Sequence, residues 1–209
     1  MRRSHVSPRM HRDTTGRMAA GQANFLLALL LSLASSAISQ DDFYSFTAKD
    51  IKGKTVLLDK YRGKVSLVVN VASECGYTDG HYRELVRLQD HLAPTKHFNV
   101  LAFPCNQFGG QEPMGNSAIA QFAKSMYKAN FPMFSKIDVV GREAHPAYKY
   151  LAESTQAPPT WNFWKYLVDP NGKVITAWPP HNAVVDIWSK VESAVNRARW
   201  DKGQRSTEL

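Results

Sequence analysis

Residues 65–78 read V-S-L-V-V-N-V-A-S-E-C-G-Y-T, and this stretch restricts the fold more tightly than any other part of the chain. Val65, Leu67, Val68, Val69 and Val71 form a run of β-branched and aliphatic side chains that predicts a strand buried on both faces. Small and polar residues end the run at Cys75 and Gly76, and a helical pattern begins near Thr78. A cysteine between a buried strand and a helix start lies in the field of that helix's unpaired N–H groups, which favours thiolate over thiol. Taken alone, a cysteine is more often an inert core residue; the strand–Cys–helix context makes this one a candidate nucleophile.

Only two cysteines occur, Cys75 and Cys105, in a chain of 209 residues long enough to bury a core without disulfide staples. Two thiols suffice for one bridge or one redox couple but not for a four-thiolate zinc site, and the histidines show no ligand spacing beside them. No metal and no bound cofactor are expected. The net charge of +8 is divided evenly, because residues 1–39 carry five arginines against Asp13, or +4, and the rest of the chain carries the other +4. The folded part shows no basic stripe with interleaved aromatics, so nucleic-acid binding is not expected.

The N-terminal segment, residues 1–39, reads as a secretory signal peptide. A basic region precedes an apolar core of nine residues, Phe25–Leu33, interrupted only by Ser32, and small residues follow, with Ala37-x-Ser39 as the cleavage pattern. The apolar run falls short of the roughly 20 residues needed to span a bilayer, so stable membrane insertion is not expected. Met18 offers a second start. The folded domain is expected over 40–203, followed by a flexible tail, 204–209, whose Glu208-Leu209 end weakly matches an endoplasmic-reticulum retention signal.

Along the domain, Phe43–Ala48 and Thr55–Leu58 flank Asp50-Ile51-Lys52-Gly53 and predict a hairpin. After the strand Val65–Val71 comes a helix over Thr78–Leu92, closed by Pro94, and then a second buried strand, Phe98–Phe103. Two strands joined by a helix should lie parallel, so Cys75 and the segment Cys105–Gln107 fall on one edge of the sheet, where open α/β sheets place their chemistry. Whether those two strands are neighbours stays open at this point. Ile119, Phe122, Ala123, Met126 and Tyr127 predict a core-facing helix capped at Asn116. Ile137–Val140 and a short helix over His145–Leu151 follow. Trp164–Val168 and Lys173–Trp178 surround the turn Asp169-Pro170-Asn171-Gly172. A last helix carries Val184, Ile187, Trp188, Val191 and Val195 inward. The predicted architecture is α/β: a thioredoxin-like fold, its central mixed sheet flanked by helices, with an N-terminal β-hairpin. The residue three after Cys75 is Thr78, so the C-x-x-C of a dithiol oxidoreductase is absent.

A thiolate at a sheet edge needs donors that stabilise the anion and steer an electrophile to it. Gln107 and Asn162 supply amide N–H groups and Trp161 an indole N–H. The same donors suit a departing negative oxygen, as when sulfur attacks a peroxide. Packing or loop-capping roles are the alternatives for each.

Three blocks, N-V-A-S-E-C-G-Y-T at 70–78, L-A-F-P-C-N-Q-F-G at 101–109 and W-N-F at 161–163, resemble the signature blocks of the glutathione peroxidases. The resemblance runs from about Phe43 to the final helix. It implies that Cys75 is the peroxidatic residue, standing where many members carry selenocysteine, with Gln107, Trp161 and Asn162 completing a catalytic tetrad. Ser117–Asn130 lacks the resolving cysteine usual in thioredoxin-using members. Only twenty residues separate Val140 from Trp161, too few for the insertion of tetrameric members, so a monomer is expected. The lumenal branch of the family fits best.

The implied cycle reduces hydrogen peroxide or a lipid hydroperoxide and leaves Cys75 as a sulfenic acid. Glutathione as co-substrate, thiols of protein disulfide isomerases, and Cys105 as an internal resolving cysteine are the partners this implies. The alternative is a redox sensor or relay that passes oxidation to a bound protein. The secretory pathway is the expected location, either the endoplasmic-reticulum lumen or outside the cell.

Overall fold

A computed structural model describes residues 42–207, so the expected leader at 1–39 and the Glu208-Leu209 end lie outside the described residues. Asp42 accepts a hydrogen bond from the Tyr44 N–H at 2.8 Å and starts a 3₁₀ turn over Phe43–Ser45. The hairpin that follows pairs β1 (Thr47–Lys49) with β2 (Thr55–Leu57), Thr47 opposite Leu57. The early turn takes residues 43–45 out of the strand expected there.

Every residue of β3 (Val65–Val71) is buried, as a strand covered on both faces requires. Helix α1 (Thr78–Leu92) crosses over with Leu85, Leu88 and Leu92 inward, and returns the chain to β4 (Phe98–Pro104). Strands β3 and β4 are direct neighbours and parallel, in register from Val65 opposite Phe98 to Val71 opposite Pro104. The adjacency left open by the sequence is thereby settled.

Helix α2 (Asn116–Tyr127) buries Ile119 and Ala123, but Met126 is 62 % exposed, against expectation. Tyr127 takes the core-side place instead, stacking on Tyr82 at 4.9 Å between ring centroids. Asn116 is not the cap; Gly115 holds that position, while the Asn116 side chain accepts from the Lys136 N–H at 2.9 Å. Residues 137–140 form no strand. Pairing falls earlier, where Met133 bridges Ala102 and Phe134 bridges Asp50. Helix α3 (Pro146–Thr155) begins behind His145, whose Nδ1 accepts from the Ala147 N–H at 3.2 Å.

Strand β5 (Lys165–Val168) runs antiparallel to β3 and pairs with β6 (Val174–Trp178) across the predicted turn. Gly172 in that turn has φ +85°, and a Cβ there would stand 2.3 Å from the Asp42 carboxylate. Helix α4 (Val184–Thr207) buries Val184, Ile187, Val191 and Val195 and carries on past residue 203, so the domain boundary expected there falls inside a helix.

The sheet order is β4-β3-β5-β6. Leu67 and Val69 face α1 and α4, while Val68 faces the opposite layer with Leu101, Phe103, Phe134, Tyr148 and Tyr166. A mixed sheet between helical layers, with a hairpin at its N-terminal side, is the thioredoxin-like architecture predicted. Among the described residues, no helix is long and apolar enough to cross a membrane.

Candidate active site

Cys75 stands four residues beyond the end of β3, buried to 8 % exposure, at the start of α1. Thr78 fixes the loop. Its hydroxyl accepts from the Cys75 N–H at 3.1 Å and donates to the Ala72 carbonyl at 2.8 Å. The backbone around the thiol is thus tied by a residue that a dithiol oxidoreductase would replace with its second cysteine.

The W-N-F block is attached to the same strand end by Asn70, fully buried near the end of β3. Its Nδ2 donates to the Trp161 carbonyl at 3.0 Å, and its own carbonyl accepts from the Phe163 N–H at 2.7 Å. Trp161 keeps 38 % exposure, whereas Asn162 and Phe163 are fully buried. Phe163 turns the chain with φ +65°, a left-handed conformation uncommon for a bulky residue.

The two glutamines after β4 have different fates. Gln107 Oε1 accepts from the N–H groups of Val139 and Val140 at 2.7 and 3.0 Å, and its Nε2 donates to the Val140 carbonyl at 2.9 Å. Its amide is committed to fastening the 139–140 segment. Gln111 is the one joined to the site. Its Oε1 accepts from Asn162 Nδ2 at 2.9 Å, and its carbonyl accepts from the N–H of Glu74, next to Cys75, at 3.0 Å. The same Asn162 Nδ2 donates to the Phe108 carbonyl at 3.3 Å, which fixes the amide's orientation. With Oε1 so occupied, the Gln111 N–H₂ remains a donor.

Gly109 and Gly110 make this placement, with φ +68° and +64°, reversing the chain so that the Gln111 carbonyl meets the Glu74 N–H. A Cβ on Gly109 would meet both Trp161 and Gln111 at 3.4 Å. Asn70 and Gln111 thus tie Trp161 and Asn162 to the strand end and the loop of Cys75, and Gln111 was not singled out from the sequence. The G-G pair was the signal, since consecutive glycines mark a backbone reversal.

Glu112, next along, is fully buried. One carboxylate oxygen accepts from the Ser73 hydroxyl at 2.6 Å, and the other has no partner among the described residues. Desolvation pushes its pKa up to about 7 against the opposing pull of the Ser73 bond. Cys105 is fully buried too, its sulfur 3.5 Å from the Gln107 N–H, and burial pushes its pKa up to about 11. Both cysteines are free thiols. A shallow cleft of about 220 Å³ opens at the first turn of α1, walled by Gly76, Tyr77, Gly80, His81 and Pro180 but not by Cys75. A larger one of about 630 Å³ includes Val65 and Pro170, at the opposite end of the sheet from Cys75.

A cysteine at the carboxyl edge of a thioredoxin-like sheet, without a second cysteine three residues on and beside an Asn–Gln amide pair, defines a peroxidase-type thiol oxidoreductase. Comparison with known proteins agrees and is more specific. Residues 43–152 match the family model described as glutathione peroxidase. Bovine glutathione peroxidase 7 is 59 % identical over 169 residues, covering 81 % of this chain and 90 % of that one. A probable glutathione peroxidase 8-B of Xenopus laevis is 53 % identical over 156 residues, 75 % of this chain and 74 % of the other. Among solved structures, Trgpx in its apo form aligns with a TM-score of 0.63 and 35 % identity, covering 76 % of this chain and 97 % of that one. The chain belongs to the glutathione peroxidase family and is a peroxidase oxidoreductase.

Proposed function

We propose that the protein reduces hydrogen peroxide and lipid hydroperoxides through Cys75, with Gln111 and Trp161 as the groups that receive the peroxide and Asn162 as the residue that holds the Gln111 amide for it. The observation that carries this reading is the Asn162–Gln111 bond at 2.9 Å, closed over the loop that bears the nucleophile. The Cys75 thiolate attacks the terminal peroxide oxygen and the O–O bond breaks. Sulfur leaves as a sulfenic acid, and the departing alkoxide or hydroxide takes up a proton to become alcohol or water. N–H groups of Gln111 and Trp161 stabilise the negative oxygen as it departs. The Gln107 amide, expected in this role from the sequence, is bonded to Val139 and Val140, so this reading gives the role to Gln111.

The sulfenic acid then condenses with a thiol, forming a disulfide and releasing water, and a second thiol exchanges to free Cys75. An external thiol is favoured for the first step. Cys75 retains some exposure, whereas Cys105 is fully buried and held as a neutral thiol at physiological pH. Glutathione and the thiols of protein disulfide isomerases are the reductants in this reading, the latter linking peroxide consumption to oxidative folding. Cys105 enters as resolving residue only after local opening. The sequence features of residues 1–39 support a secretory-pathway location, in the endoplasmic-reticulum lumen or outside the cell, and the short segment before Trp161 supports a monomer.

Single-turnover mixing with hydrogen peroxide tests the reading, with sulfenic acid at Cys75 trapped by dimedone and mapped by mass. A Cys75 that does not react overturns it. Steady-state peroxide consumption with glutathione alone, and with glutathione plus protein disulfide isomerase, separates the reductants. Turnover that appears only with the isomerase supports the relay reading, in which oxidation of a bound protein is the main output.

A further inference from the structure

Behind the Trp161–Phe163 turn lies a buried cation that the peroxide chemistry above does not use. Lys165, the first residue of β5, is fully buried. Its Nζ donates to the Phe163 carbonyl at 2.8 Å and lies 3.0 Å from His81 Nε2. The other ring nitrogen, His81 Nδ1, is 3.1 Å from the Tyr77 carbonyl and must donate to it, so Nε2 is the acceptor for the ammonium. The imidazole also packs on the Phe163 ring, centroids 4.9 Å apart.

An apolar side chain would fill this inward-facing position at no electrostatic cost, whereas an ammonium with two neutral partners is expensive to bury. The facing carboxylates are Glu84 on α1 and Asp186 on α4. Both are already engaged, Glu84 accepting from the Val184 and Val185 N–H groups at 2.7 and 3.2 Å, and Asp186 from the Ala183 N–H at 2.9 Å. What Lys165 holds directly is the carbonyl of a residue in the left-handed region, which a phenylalanine adopts only when its surroundings enforce it.

We propose that Lys165 is a positioning residue for the peroxidase reaction. One bond holds the Phe163 carbonyl, the other holds His81 on the helix that begins three residues after Cys75, and together they set Trp161 and Asn162 against the nucleophile. The inference rests on the peroxidase reading given above. Desolvation lowers Lys165 to about 7 and His81 to about 4, the latter helped down by the Lys165 charge. In mildly acidic solution the pair is therefore ammonium and neutral imidazole. Above neutrality the ammonium is lost, and with it the charge-assisted part of the grip.

The test uses the full chain and its Lys165→Met variant. The rate of Cys75 oxidation by hydrogen peroxide is expected to fall on the order of tenfold to a hundredfold, the cost of misplacing groups around a reacting centre. Alkylation of Cys75 by iodoacetamide, which needs no oxygen-stabilising donors, is expected to change little. In reduced, peroxide-free protein, the Trp161 indole N–H resonance should titrate near neutrality and lose that titration in Lys165→Met. An unchanged peroxide rate together with an unchanged Trp161 titration overturns the proposal. Should Lys165→Met not fold, His81→Phe removes the acceptor but keeps a ring against Phe163; it is expected to displace the Trp161 midpoint, and an unmoved midpoint overturns the proposal. A wild-type Cys75 inert to peroxide would overturn the peroxidase reading and the catalytic role of Lys165 with it. The Trp161 titration would still show separately whether the clamp exists.

Discussion

Asn162 Nδ2 donates to Gln111 Oε1 at 2.9 Å, joining two residues 51 positions apart in the sequence. Neither amide is on a regular element. Each is delivered by a backbone reversal, one at Gly109-Gly110 and the other at Phe163, where φ is positive.

The two glutamines are expected to separate by what their loss does. Gln111→Ala should slow sulfenic-acid formation at Cys75 about a hundredfold, the scale for removing an oxyanion donor, with little loss of stability. Gln107→Ala should leave the peroxide rate within a few-fold and cost about 1–2 kcal/mol, because its amide fastens Val139 and Val140. Stopped-flow oxidation and urea unfolding on both variants check the pair of outcomes. A slow Gln107→Ala beside a normal Gln111→Ala would reverse the assignment.

Trp161→Phe keeps the ring beside Phe108 and removes only the indole N–H. The peroxide rate should fall on the order of tenfold or more while the unfolding free energy stays within about 0.5 kcal/mol of wild type, as expected for a partly exposed side chain. Single-turnover kinetics against denaturant unfolding separates the two effects.

Glu112 gives a pH dependence of stability with a definite sign. Its folded pKa is raised from 4.5 to about 7, so the folded state binds more protons than the unfolded state between those values. Its contribution therefore falls as pH rises through that window, and the cost is complete above about pH 7. Glu112→Gln keeps an acceptor for Ser73 and removes the ionisation. Relative to wild type, the variant should gain about 3 kcal/mol between pH 4 and pH 8 in urea unfolding. A constant difference across that range would show that Glu112 does not titrate there.

Cys105→Ser tests the order of the cycle. The first step, oxidation of Cys75 by one equivalent of peroxide, should be unchanged, because Cys105 is fully buried and neutral at pH 7. Turnover with an external thiol should also persist. Loss of turnover with the first step intact would place the Cys75–Cys105 disulfide on the main path.

Much of this fold could be read from residue pattern alone, because its central elements are held by burial. Strand β3 and helix α1 run over the residues that aliphatic clustering and helical spacing predicted, and the parallel crossover put both cysteine-bearing ends on one edge. The site was less legible where it depends on which way a loop turns. Gln107 and Gln111 lie in one loop and offer the same chemistry; the two left-handed glycines between them bring Gln111 to Asn162 and to the Glu74 N–H, while Gln107 bonds Val139 and Val140. Met126 followed the core spacing yet faces solvent, since Tyr127 stacks on Tyr82 in its place. Lys165 was hidden for a different reason. A lysine at a strand start reads as a solvated charge, and only the tertiary packing of α1 over β5 encloses it.

The complete burial of β3 sets where motion is allowed. Its amides are bonded on one side to β4 and on the other to β5, so they should exchange with deuterium only through unfolding of the whole domain. Cys75 stands four residues beyond that strand, whereas Cys105 follows β4 directly and its N–H donates to the Val71 carbonyl at 3.0 Å. A rearrangement that brings the two sulfurs together is then expected to draw on the loop that carries Cys75, since the backbone at Cys105 is held to β3. The two cysteines are mechanically unequal: Cys105 is tied to the sheet by its own backbone, and Cys75 sits where the lattice of backbone bonds has ended.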